Sequence, residues 1–181
     1  DTMDGHPLRM ARRVIFVIGL AAAGAGFAGS LATPSTTVST LAGTVFFGVI
    51  GAVWGRTPFA RLFAWQFAGG SLIGVAIAAG LAANLPARHT AIAVLVAGTI
   101  LLAAAAGLPR LRRDDPPRRP SVDSEQSLLE AFGYLGLVTA IGLTTGWPEF
   151  TAVACMATGT VLGVAAIRPG RSDQYRSGLI V

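Results

Sequence analysis

The sequence predicts an all-α polytopic membrane bundle of about six transmembrane helices, with both the N- and C-termini cytoplasmic. Three observations carry this expectation. The 181 residues are 52% hydrophobic and 13% charged, with a mean hydropathy of +0.62, whereas soluble domains carry about 25% charged residues. Charge is missing from long runs of bilayer-spanning length. The arginines between those runs fall almost entirely on one side.

No charged residue lies between Arg13 and Arg56. A helix crosses a hydrocarbon core of about 30 Å with about 20 residues, so this run is long enough for two spans. Thr33-Pro-Ser-Thr-Thr37 is a turn signal that divides it into spans over 14–32 and 38–55. The first span also has the look of a signal peptide, with Arg9, Arg12 and Arg13 ahead of an apolar core and Ser30-Leu-Ala32 behind it. Its direct continuation into another apolar run favours a retained helix. Uncharged runs over 62–87 and 90–108 give the third and fourth spans, ending at Asn84-Leu-Pro86 and Gly107-Leu-Pro109. Spans near 128–146 and 149–167 flank Gly146-Trp-Pro-Glu149. The division is therefore a cytoplasmic segment over 1–13, a four-helix membrane part over 14–108, an Arg/Pro-rich cytoplasmic loop over 109–127, a two-helix membrane part over 128–167 and a cytoplasmic tail over 168–181.

Under this count thirteen of the fourteen arginines, Arg61 included, lie on one side, and only Arg88 lies opposite. The positive-inside rule makes the Arg-rich side cytoplasmic, in a multi-pass protein of the cytoplasmic membrane. The stretch over 109–120 holds seven charged residues and Pro109, Pro116, Pro117 and Pro120. Those prolines are expected to stop the fourth helix and keep the loop extended. Its arginines fix topology and can meet anionic headgroups. Trp54, Trp65 and Trp147 are expected at the membrane–water boundaries. The net charge of +5 and pI of about 11.0 do not imply nucleic acid, because the arginines are distributed over membrane-flanking segments.

Chemistry in a membrane protein is sought first at ionisable groups inside the spans. Glu130 and Glu149 are the candidates for a proton-linked carboxylate. Structural capping explains both: Ser127-Leu-Leu-Glu130 has the spacing of a capping box, and Glu149 follows Pro148 at a helix start. The single Cys155 excludes an intrachain disulfide and a cysteine metal site, and it reads as a small core residue. His6 and His89 lie outside the spans on opposite sides, so no metal site is expected. Ser71 has no base in any span to activate it. Neither an enzyme nor a cofactor is expected.

What remains inside the spans is neutral and polar. Gln66, Ser71, Thr99, Thr139, Thr144 and Thr158 are the candidates for lining a path or bonding between helices, with Thr44, Asn84 and Thr160 beside them. Gln66 is the most telling, because a buried amide needs partners. It bonds across helices, lines a path, or sits at the inner boundary beside Trp65. It shares a helical face with Gly70 and Gly74. Four Gly-x-x-x-Gly pairs occur, 51/55, 70/74, 142/146 and 159/163, against about three from Gly content alone. Ile18-Gly-Leu20 and Gly43-Thr-Val45 are echoed by Leu135-Gly-Leu137 and Gly159-Thr-Val161; a parallel repeat and the easy recurrence of Gly-Thr-Val in so biased a composition both fit this similarity.

Two functions fit. One is a small-molecule or ion transport protein, an exporter or channel subunit, with a path lined by neutral side chains. The other is a non-catalytic structural subunit of a larger membrane complex, such as a secretion or respiratory assembly. A polar path favours the first, as would the repeat if the similarity is one; little extramembrane mass and no membrane-buried charge favour the second. The expected partners are the lipid bilayer and either further copies of the chain or other membrane subunits, with no nucleic acid.

Overall fold

Proline opens three of the helices, at the position where its missing N–H costs no hydrogen bond. The computed structural model describes residues 33–111 and 119–167. Among them are five helices: α1 (Pro34–Trp54), α2 (Pro58–Ala82), α3 (Ala87–Leu111), α4 (Arg119–Thr144) and α5 (Pro148–Ile167). All five are long and apolar enough to cross a membrane. The described residues thus form an all-helical bundle with the character of a multi-pass membrane protein. The expected span over 14–32, the tail over 168–181 and the Ile18-Gly-Leu20 part of the repeat lie outside the described residues.

Local chemistry sets the boundaries. Thr33 caps α1 from an extended conformation, and its carbonyl accepts from the Thr36 and Thr37 hydroxyls, each at 2.9 Å. The helix therefore starts at Pro34, inside the segment expected to be a turn. Thr57 caps α2, its hydroxyl accepting from the Ala60 N–H at 3.2 Å. After α2 the chain reverses at Asn84, whose φ of 51° is left-handed, and the Leu85 N–H bonds back to the Gly80 carbonyl at 2.9 Å. Pro109 does not stop α3, which continues to Leu111. A proline so close to a helix end forfeits little of the hydrogen-bond ladder.

The largest departure from expectation is at α4, which begins at Arg119 rather than near 128. Its apolar part is Ser124–Thr144, and polar residues extend the helix beyond it. Ser127-Leu-Leu-Glu130 is therefore mid-helix, and the capping-box reading of Glu130 is overturned, since backbone N–H groups there are already bonded. Glu149 does occupy the first turn of α5, behind Pro148. Gly146, at φ 101°, makes the turn between α4 and α5, and the Thr151 hydroxyl ties it by donating to the Thr144 carbonyl at 2.8 Å.

The helices form two close pairs. α1 packs mainly on α2 and α3 mainly on α4; α2 joins the pairs, and α5 leans lightly on α4 and α3. The α3–α4 crossing is set by glycine. A Cβ on Gly98 would meet the Gly133 carbonyl oxygen at 2.9 Å, and one on Gly136 would meet the Gly98 Cα at 2.9 Å. Around this crossing Val94, Ala97, Leu101, Leu129 and Ala140 build a core shared with Ala68, Ile73 and Ala76 of α2.

Candidate functional site

Arg61 and Trp65 are one helical turn apart on α2 and project from the same face. That face continues through Ala68 and Gly69, all four residues being buried. Opposite it, α4 presents Glu125, Leu129 and Phe132. Glu125 faces Arg61 across a sequence separation of 64, and the Phe132 ring lies on Gly69, a separation of 63 (132 minus 69). The near-constant offset means that α2 and α4 run parallel. Their N-terminal ends, with Arg61 and Glu125, share one end of the bundle.

The Arg61 Nε–H donates to Glu125 Oε1 at 2.9 Å. The Trp65 Nε1–H donates to Glu125 Oε2 at 3.1 Å. Glu125 has no exposed surface and the Arg61 side chain is 8% exposed. A carboxylate removed from water in this way loses its hydration, and only charge-assisted bonds to both oxygens make the position tenable. Apolar residues of the same two helices, Ala68 and Leu129, belong to the same buried core as Trp65.

Three expectations are corrected here. Arg61 is not a loop charge; it lies in α2, turned inward. Trp65 is not a boundary anchor but a buried donor, whereas Trp54 and Trp147 are 74% and 41% exposed. The bundle also does contain a buried charge pair. Glu125 escaped notice because the expected loop ran to residue 127. A helical stripe was nevertheless present: Glu125, Leu129, Phe132, Gly133 and Gly136 recur at the spacing of one face. Extending α4 backward by one turn finds the acid.

The residues singled out from sequence do not converge. Gln66 is exposed on the outer surface of α2. Ser71 is buried. The Thr99, Thr139 and Thr144 hydroxyls donate to carbonyls of their own helices, those of Leu95, Leu135 and Ile141, at 2.7–2.9 Å. Thr158 is buried, and its hydroxyl has no partner among the described residues. Thr99 and Thr160 share an outward-open groove of about 520 Å³ between α3 and α5, walled by Leu95, Val96, Ile100 and Val161. Thr44 lines a second groove, about 490 Å³, between α1 and α2. Among the described residues the two grooves lie between different helix pairs. Glu130 is buried, and its Oε1 accepts from Gln126 Nε2 at 3.0 Å, one turn away. Cys155 is exposed, not a core residue. At the far end of the bundle Arg88 lies 5.3 Å from the Phe150 ring centroid.

No family model, no curated protein and no solved structure matches this chain. The chemistry of the cluster itself is therefore the ground for any functional reading.

Proposed function

We propose that the protein is a transporter of six spans with cytoplasmic termini, residing in the cytoplasmic membrane, and that its working site is the Arg61–Glu125–Trp65 cluster. The observation that carries this reading is a fully buried carboxylate, Glu125, held by a buried arginine on another membrane-spanning helix. Ionisable side chains in such spans are costly and mark substrate or ion pathways. Stability alone is a poor reason to keep the pair, since well-packed apolar replacements often match or exceed it.

The position of the pair supports the same reading. It joins α2, of the α1–α2 pair, to α4, of the α3–α4 pair. Motion of one helix pair against the other would open this contact at the proposed cytoplasmic end, as in transporters that rock about a fixed site. The neutral hydroxyls lend less support than the sequence promised, because most are bonded within their own helices.

The alternative is an accessory subunit of a larger membrane complex. It is favoured by α5, of whose span only 11% is buried, with no described residue within 4 Å of a Cβ on Gly159 or Gly163. Reconstitution decides between the two. Purified protein in vesicles is expected to move ions or small organic solutes, and Glu125→Gln is expected to change that flux while the fold persists. Absence of flux, together with a fixed stoichiometric set of co-isolated subunits, overturns transport in favour of the accessory role.

A further inference from the structure

The donors contributed by α2 are arranged for a carboxylate. The Arg61 and Trp65 N–H groups reach different oxygens of one carboxylate, at 2.9 and 3.1 Å. A planar anion with two oxygens satisfies both donors at once, whereas a halide presents a single centre to share between them. Both donors are fixed by one helix, and the acceptor arrives from another. Receptor and occupant are therefore separable parts.

We propose that Arg61 and Trp65 form a binding site for small monocarboxylates, which Glu125 occupies in this closed arrangement and which an external carboxylate enters when α4 withdraws from α2. The proposal rests on the transport reading and names its substrate class. The exchange conserves charge at the receptor, since one carboxylate leaves as another arrives. Glu125 has somewhere to go. It is the second residue of the apolar part of α4, Ser124–Thr144, so a short displacement returns it to water.

Size complementarity supplies the test. Glu125→Ala removes the Cγ and the carboxyl group, which together have the size and charge of acetate. Thermal unfolding of the purified Glu125→Ala protein in detergent is expected to occur below the wild-type Tm. Acetate is expected to raise that Tm saturably, whereas chloride or phosphate at equal ionic strength is not. Glu125→Gln fills the space and is expected to show no acetate response. The double variant Arg61→Leu/Glu125→Ala is expected to lose the response. An equal response to chloride, or one that survives in the double variant, overturns the proposal.

Should Glu125→Ala fail to fold, the wild-type site is read through Trp65. With the exposed Trp54 and Trp147 changed to Phe, acetate or propionate is expected to shift the emission of the remaining indole, and chloride is not. A spectrum indifferent to carboxylates overturns the assignment. The two proposals fail separately. Acetate rescue without carboxylate flux in vesicles leaves the receptor standing and removes transport as its purpose. Flux of other solutes without rescue leaves transport and removes the carboxylate site.

Discussion

A carboxylate with no exposed surface is tolerable only while its donors are present, so the two halves of the Arg61–Glu125 pair should respond unequally to substitution. Arg61→Leu strands a buried negative charge and is expected to cost about 3–5 kcal/mol in detergent unfolding. Arg61→Met combined with Glu125→Leu removes both charges and is expected to recover much of that loss. Additive losses in the double variant would mean that the pair contributes through packing and not through charge. Gln66→Leu is the contrasting case: its side chain is exposed, so stability is expected to change by less than about 0.5 kcal/mol. A larger loss in the same unfolding assay would place Gln66 in an interface. Residue roles were only partly legible in the sequence. The place of Glu149 in the first turn of α5 was legible, because the Pro148 start signal beside it is local. Arg61 and Glu125 were not, because their pairing spans 64 residues and each has charged neighbours that read as loop. Arg61 follows Arg56 closely, and Glu125 follows Asp123 and the arginine-rich stretch.

Helix positions were far more legible, because a spanning helix announces itself by length and apolarity. Among the five described helices the errors were confined to ends: α1 begins at Pro34 and α4 at Arg119, since helices extend through polar residues that a hydrophobicity boundary cuts away. Helix contacts were less legible. The Gly-x-x-x-Gly pairs drew attention to Gly142, Gly159 and Gly163, yet a Cβ on any of these meets nothing within 4 Å. The tightest backbone approach instead sets Gly98 of α3 against Gly133 and Gly136 of α4. Such a crossing needs one small residue opposite two, a pattern divided between helices that no single-helix motif contains. Gly98→Ala is therefore expected to destabilise by about 1–3 kcal/mol, because its Cβ meets backbone atoms that no rotamer change relieves. Gly159→Ala is expected to leave unfolding unchanged or slightly raise stability, since alanine favours the helix. If Gly159→Ala proves the more damaging of the two, the face of α5 that no described residue covers is packed against a further segment or another chain.

At the scale of the molecule, sidedness follows from charge, and the structure changes the tally without reversing it. Arg61 leaves the loop count because Glu125 neutralises it inside the bundle. Twelve of the fourteen arginines still belong to the proposed cytoplasmic side. Arg88, the exception, lies beside Phe150 at the opposite end. Five helices alone fix which helix ends lie together: the 55–57 turn lies with Leu111 of α3 and Arg119 of α4, and 83–86 lies with 145–147. In a Cys155→Ser background, single cysteines at Thr57 and Asp115 are thus expected to resist a membrane-impermeant thiol reagent added outside intact cells. Cysteines at Leu85 and Thr145 are expected to react. The reverse pattern overturns the orientation but not the fold. The number of spans hinges on a further position, His6. If residues 14–32 cross the membrane, His6 lies on the same side as Thr57; if they do not, it lies with Thr33 on the side of Leu85. Arg9, Arg12 and Arg13 stand immediately before that apolar run, and cations in that position resist translocation. A cysteine at His6 is therefore expected to be protected together with Thr57. Labelling of His6 from outside would reduce the bundle to five spans and place Arg9, Arg12 and Arg13 opposite the other arginines assigned to the cytoplasmic side.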